Sequence, residues 1–557
     1  MKEYILVAVA WPYANGPLHL GHIAGAYLPA DIFARYNRMI GNEVLMVSGS
    51  DSHGTPITIR ADQENTTPTE IVARYHKDFQ KSWEGLNISW DLFTSTDTPN
   101  HHKIAQEFFS RLLEKDLLYE ATASLPYSVQ EDRYLPDRYV VGTCPHCSSE
   151  SARGDQCDNC GRTLDPQDLI NPKSTTDGST PEFRERTHYM FRLSKFEPQL
   201  QDWLKDKSFW RSNVLNFSNS LLSQGLKDRP ITRDLSWGVQ VPLKDWEDRS
   251  IYVWFEAVIG YLSASIEWAN DVAKEPDSWK KWWSDDSKSY YFIGKDNIPF
   301  HTVIWPAMLL GYDKGYPLPH NVPSNEFLNL EAGQFSTSRN WAVWVSDYLS
   351  RYDSDPLRYV LSAIMPETSD SEFTWADFAR RNNAELVGTY GNLVHRTLTF
   401  LHNNYDGVVP DVGYDPLGQT LIEECKSALI ESGNEISSCN FRSALKIAMD
   451  LSQKGNRYLD DRAPWKMIKQ DRNGAAQTMF TMLSVISTLR ILFYPFLPQS
   501  SQKLHDLLGY EGKIETASWD FSHPKLGTTL TKPTPLFNKL DEEEVIKNEA
   551  LRMQSNK

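Results

Sequence analysis

The chain has 557 residues, 40% of them hydrophobic and 23% charged. These are ordinary globular proportions that exclude a largely disordered chain, and single cores stop growing near ~250–300 residues, so two to four domains are expected. The net charge of −16 argues against binding nucleic acid through a broad basic surface, although a local basic face can coexist with an acidic remainder.

The first segment, Ile5-Leu6-Val7-Ala8-Val9-Ala10, is a continuous apolar run rich in β-branched residues. It predicts a strand buried on both faces of a parallel sheet. No signal peptide precedes it, so a cytoplasmic location is expected. A loop from Trp11 to Pro17 leads into a helical stretch from about Gly21 to Met39, ending near Gly41, and Glu43 to Ser48 reads as the next strand. Strand, loop, helix and strand make a βαβ unit, which predicts a doubly wound, Rossmann-like α/β domain with a parallel sheet. From about Leu117 to Pro181 short segments rich in Pro, Gly, Asp and Ser surround a cysteine cluster, as an insertion would. The α/β texture returns near Ile251, with Tyr290 to Ile293 as a strand entering Gly294-Lys295-Asp296. From about Trp375 to Leu497 the chain reads as an all-α unit, and Asp541-Glu542-Glu543-Glu544 opens a charged terminal helix. No apolar run reaches the ~18 residues of a membrane span, and there is no internal repeat. The expected division is an α/β domain in two halves, 1–117 and 246–325, interrupted by an insertion at 118–245. A connecting region at 326–385 and a helical domain at 386–557 follow.

Two segments carry chemistry. Pro12-Tyr13-Ala14-Asn15-Gly16-Pro17-Leu18-His19-Leu20-Gly21-His22 joins the carboxyl end of a parallel strand to a helix N-terminus, where ligands bind in open α/β sheets. A helix start offers free N–H groups and partial positive charge to phosphate. Two imidazoles three residues apart add donors, and Gly21 between them leaves a flat patch for a base. The second segment is Cys144-Pro145-His146-Cys147 with Cys157-Asp158-Asn159-Cys160. Each CxxC turn presents two thiolates at one point, and two such turns close a tetrahedral site for one structural zinc ion. Disulfides and a redox pair are the alternatives. Cys425 and Cys439 stand alone and read as packing residues.

His19-Leu20-Gly21-His22 resembles the first signature of class I aminoacyl-tRNA synthetases, and Pro12-Tyr13-Ala14-Asn15-Gly16 is similar to the methionyl branch of that family. The resemblance runs to roughly residue 540 through Gly49-Ser50-Asp51-Ser52-His53-Gly54-Thr55-Pro56, Leu135-Pro136-Asp137-Arg138, Tyr252-Val253-Trp254-Phe255 and Phe292-Ile293-Gly294-Lys295-Asp296. It implies ATP-dependent activation of L-methionine, with Mg2+ on the nucleotide, and transfer to tRNA(Met). It places Pro12, Asn15, Gly16, His19, Gly21, His22, Thr337 and Ser338 on ATP. It assigns His19, His22, Lys295, Ser336, Ser338 and Arg339 to phosphate during catalysis. Asp51 would hold the methionine ammonium, with Ala10, Trp11, Tyr13, Trp254, Tyr261 and His301 around the side chain. By spacing alone, Trp254 and Tyr261 are seven apart and would share a helical face in a core. Asn392, Arg396, Pro464 and Trp465 match the positions that read the CAU anticodon, and the cysteine knuckle matches an element that guides the acceptor end.

The chain departs from the family in three places. Gly333-Gln334-Phe335-Ser336-Thr337-Ser338-Arg339-Asn340 occupies the place of the lysine-bearing second ATP signature, and Gln334 and Thr337 stand at its two lysine positions. One missing donor of this kind could cost ~3 kcal/mol, or ~10²-fold in rate. Trp11 stands where some relatives have leucine, and Val258 where some have proline. No dimerisation domain follows the helical part, so a monomer is expected. A class I synthetase for another amino acid and a non-catalytic tRNA-binding paralogue are the competing readings.

Overall fold

The apolar run at the start becomes the central strand of a five-stranded parallel sheet. Its strands are β1 (Tyr4–Val9), β2 (Glu43–Ser50), β3 (Leu92–Ser95), β4 (Ser287–Gly294) and β5 (Ser324–Asn325), in spatial order β5-β4-β1-β2-β3. The computed structural model describes residues 2–555 except 137–138, 155–156, 158, 161, 163, 332 and 336–340, with the side chains at 334, 554 and 555 also outside the description. Ile5, Val7 and Val9 enter one core and Leu6 and Ala8 the other. Alternate residues of a strand face opposite sides, so an all-apolar run is what a sheet covered on both faces requires. Strand order reverses between β1 and β4, and their carboxyl ends part to leave a crevice.

The expected single helix after β1 is three pieces: a turn at Leu20–His22, a π-helical stretch at Ile23–Tyr27 and a helix at Leu28–Met39. Pro29 has no N–H to give the regular ladder, and the Leu28 N–H reaches back to the Ile23 carbonyl instead.

The insertion rests on two long antiparallel strands, Leu118–Ser128 and Glu182–Phe191. Between them a three-stranded unit, Val140–Thr143, Ala152–Arg153 and Ile170–Ser174, surrounds the cysteines. Its small core contains Leu135, Tyr139, Val140, Ala152 and Leu169. The Tyr139 hydroxyl donates to Asp62 at 3.0 Å, which ties the unit to the α/β body.

The C-terminal part is helical, built around Asn392–Tyr405, Pro416–Ser437, Phe441–Arg462 and Arg472–Phe493. The last of these is long and apolar enough to cross a bilayer by length and composition, yet its most apolar stretch is 94% buried inside the protein. Hydroxyls of Thr478, Ser484 and Thr488 donate to carbonyls one turn back, which satisfies them inside a core. A buried ion network joins this part to the α/β body. Asp31 accepts from Arg35 at 2.9 Å and from Arg358 at 2.6 Å, while Arg358 also donates to the carbonyls of Leu86, Pro495 and Phe496.

Candidate active site

The crevice beside β1 holds a cavity of about 470 Å3, a volume suited to a small ligand. Backbone pairing builds its rim. Asp51 N–H donates to the Pro12 carbonyl at 2.8 Å and Ala14 N–H to the Asp51 carbonyl at 2.9 Å, which carries the β1–β2 pairing past the strand ends. Ala10, Trp11, Pro12, Tyr13 and Asp51 are thereby brought to the cavity wall.

The two histidines cap the helix start reciprocally. His19 Nδ1 accepts from Gly21 N–H at 3.1 Å, and His22 Nδ1 accepts from His19 N–H at 3.2 Å. Desolvation holds His19 well below its ordinary pKa, with His22 beside it adding to the effect, and brings His22 down to about 4. Both rings are therefore neutral at pH 7. With each Nδ1 accepting, the proton sits on Nε2, which is left as a donor. A Cβ on Gly21 would lie 2.9 Å from the His19 ring, so the glycine between them is required by the cap itself. The His19 ring also stacks on Phe335, centroids 4.8 Å apart.

Asp51 is 5% exposed, and its Oδ1 has no hydrogen-bond partner. Burial, reinforced by the Glu256 carboxylate, pushes its carboxyl well above the usual carboxylate range. A buried acceptor without a partner on a cavity wall is a place for a cation from outside. Around it the wall is aromatic: Tyr13, Tyr27, Trp254, Tyr261, Phe300 and His301. Tyr261 and His301 are joined at 2.7 Å through Oη and Nε2, and His301 Nδ1 donates to the Asn297 carbonyl at 2.9 Å. Trp11 lies where only glycine fits: a Cβ would come 2.2 Å from its ring at Gly49 and 2.6 Å at Gly260. Trp254 and Tyr261 fall on two short helices, Val253–Ala257 and Gly260–Glu267. The two residues between these helices keep right-handed helical dihedrals, so Trp254 and Tyr261 do share a face; that face lines the cavity, with Tyr261 also buried in the core.

Of the other expected residues, Asn15 and Gly16 occupy the turn after Tyr13 but do not line the cavity. Lys295 Nζ is paired at 2.9 Å with both Glu326 and Asp370 and lies outside the lining, whereas Glu326 is part of it. Ser336, Thr337, Ser338 and Arg339 lie outside the described residues. Several lining residues had no sequence signal. Gly25, Ala26 and Tyr27 come from the π-helical stretch Ile23–Tyr27, and Phe300 from another, Phe300–Ile304, which also carries the expected His301. Such stretches re-aim side chains and concentrate at functional sites.

In the insertion, Cys144 Sγ lies 3.9 Å from Cys160 Sγ and Cys147 Sγ 3.6 Å from Cys157 Sγ, and all four sulfurs are within 4.8 Å of one another. None is in a disulfide. Zinc–sulfur bonds of ~2.3 Å set tetrahedral edges of about 3.8 Å. The residues present therefore fit one closed zinc site, stiffened by Asn159 Nδ2 donating to Cys147 Sγ at 3.5 Å.

On the helical part, Asn392 and Arg396 share one face of their helix, and the Arg396 guanidinium lies 5.3 Å from the Trp465 ring centre. Arg396 is held by Asp460 at 2.6 Å. Trp465 follows buried Pro464 on a short helix and is 42% exposed. Trp465 is therefore a ring left in water beside a guanidinium rather than a core residue, with a face open for stacking.

Residues 5–398 match the family model described as tRNA synthetases class I (M), and residues 409–554 match the anticodon binding domain of methionyl tRNA ligase. The chain is 56% identical to the methionine--tRNA ligase of Dehalococcoides mccartyi, over 99% of this chain and 100% of that protein. It is 50% identical to the methionine--tRNA ligase of Roseiflexus sp., over 99% of each. Among solved structures, Mycobacterium tuberculosis methionyl-tRNA synthetase in complex with methionyl-adenylate superposes with a TM-score of 0.80 at 26% identity, covering 96% of this chain and 100% of that one.

Proposed function

Because this chain belongs to the class I methionyl-tRNA synthetases, we propose that its crevice binds ATP and L-methionine side by side and that it acts as a methionine–tRNA ligase. The methionine carboxylate attacks the α-phosphorus of ATP, pyrophosphate leaves, and methionyl-adenylate forms. The terminal ribose hydroxyl of tRNA(Met) then attacks the adenylate carbonyl and AMP departs. No covalent enzyme intermediate is needed, so the work of the site is positioning and charge stabilisation.

The observation that carries this reading is Asp51. Its buried, unpartnered oxygen faces an aromatic cavity, which suits an ammonium beside an unbranched thioether. Ala10, Trp11, Tyr13, Trp254, Tyr261 and His301 then form the side-chain pocket. His19 and His22 donate through Nε2–H to phosphate oxygens as charge develops there, with Pro12, Asn15, Gly16 and Gly21 shaping the nucleotide side. Ser336, Thr337, Ser338 and Arg339 are our choice for the pyrophosphate, with Mg2+ arriving on ATP. Lys295 joins them only by leaving Glu326 and Asp370. Cys144, Cys147, Cys157 and Cys160 hold zinc that fixes the insertion and takes no part in the chemistry. Asn392, Arg396, Pro464 and Trp465 form the anticodon-reading face.

We place the unit boundaries at 1–117, 118–245, 246–325, 326–385 and 386–557, and take the protein to act as a cytoplasmic monomer. Two family models specific to the methionyl branch favour neither a synthetase for another amino acid nor a non-catalytic paralogue. Calorimetric titration compares L-methionine with its analogue lacking the amino group. Heat of binding from the first and none from the second is the expected result. Equal binding of both removes Asp51 as the ammonium site.

A further inference from the structure

Behind Asp51, outside the cavity lining, three side chains from separate segments converge. They are His53 from the loop after β2, Asp97 from the loop after β3, and His102 from the first turn of the helix Pro99–Glu114. Their ligand atoms lie within 4.8 Å of one another. His53 Nε2 and His102 Nε2 each sit 3.5 Å from the same oxygen, Asp97 Oδ1. That distance is long for a hydrogen bond, which prefers ~2.7–3.2 Å. It equals the edge of a tetrahedron around an ion with bonds of ~2.0–2.2 Å, about 3.3–3.6 Å. His102 Nε2 is buried and makes no hydrogen bond. The other nitrogen of His53 is held by Glu256 Oε1 at 2.8 Å, and Glu256 Oε2 is held in turn by His101 at 2.5 Å. A carboxylate behind an imidazole is how proteins aim a metal-binding nitrogen.

We propose that His53 Nε2, Asp97 Oδ1 and His102 Nε2 bind one divalent transition-metal ion of the zinc class, separate from the four-cysteine site. Two imidazoles and one carboxylate suit such an ion. Asp97 and His102 are each 32% exposed, so the cluster lies near the surface, within reach of an ion from solvent. Binding expels an imidazole proton to water. The ion fastens the loop that carries Asp51 to the start of the Pro99–Glu114 helix, so its role is to hold that loop rather than to react. The assignment does not depend on the substrate proposed above.

The full-length protein, stripped of metal, is dialysed to equilibrium with zinc, and bound metal is counted by mass spectrometry. Two ions per chain are expected. His102→Ala and Asp97→Asn each reduce the count to one. Cobalt in place of zinc identifies which ion is lost. Both variants keep the thiolate-to-cobalt charge-transfer band of the cysteine site, which also reports an intact insertion, and lose the visible bands of a nitrogen–oxygen site. One ion per chain in the unmodified protein, or two in both variants, overturns the proposal and leaves an ion-pair cluster.

Discussion

Replacing Asp51 by Asn keeps the size of the side chain and removes its charge. In the ligand-free protein that charge is unfavourable. The carboxyl is buried beside Glu256, one oxygen has no partner, and its pKa is driven well above the usual range, by burial first and Glu256 second. A carboxyl raised on folding contributes stability only in its protonated form, and that contribution is lost as pH rises. At neutral pH the asparagine therefore leaves the melting temperature unchanged or raises it. With substrate bound the balance reverses, because an ammonium in the cavity meets a desolvated carboxylate. Truncating one partner of such a pair costs about 2–5 kcal/mol, roughly 30- to 5,000-fold in kcat/KM. Pyrophosphate exchange measured across methionine concentrations, beside a thermal melt, reads both effects. The loss appears with methionine and not in the KM for ATP. A kcat/KM within threefold of the unmodified protein refutes the ammonium assignment. A lower melting temperature refutes the electrostatic reasoning.

Removing Cys147 and Cys160 together releases one zinc ion per chain and opens the segment between Leu118 and Phe191 to protease; metal analysis and limited proteolysis report it. Arg358→Met strands the carbonyls of Leu86, Pro495 and Phe496 and unbalances Asp31. It costs about 3–5 kcal/mol in a denaturant titration, and a loss below 1 kcal/mol would contradict the network's role. Trp465→Ala removes a stacking platform worth ~1–3 kcal/mol, so KM for tRNA(Met) rises roughly 5- to 150-fold while pyrophosphate exchange stays unchanged. Burial brings His301 down from 6.5 to about 4, so the unfolded chain takes up its proton first. Its contribution is complete above pH 6.5 and is lost as pH falls toward 4, by up to about 3 kcal/mol. His301→Gln flattens that part of the stability–pH curve.

The parts legible in the sequence were those written in contiguous residues. The run from Ile5 to Val9 marked a strand covered on both faces, and the paired CxxC turns marked a four-sulfur cluster. The loop from Pro12 to His22 marked the end of the sheet where the cavity lies. What escaped depends on residues far apart in the chain. Lys295 reads as a phosphate ligand, and its ion pairs with Glu326 and with Asp370, seventy-five residues on, leave no local trace. Glu256, His53 and His101 form one buried network behind Asp51, and no local pattern joins them. Trp11 looked like a departure from the family, and the space it needs is opened by Gly49 and Gly260. The π-helical stretches that aim Tyr27 and His301 have the same apolar spacing as ordinary helix. For Trp254 and Tyr261, heptad spacing gives one helical face, and what spacing cannot tell is that this face borders a cavity as well as the core.

The most direct test is ATP–pyrophosphate exchange on the purified protein with each amino acid in turn. Exchange with methionine alone is predicted, and it would show that a second signature with Gln334 and Thr337 supports catalysis. Exchange with no amino acid, from a folded and zinc-loaded chain, would contradict the synthetase account.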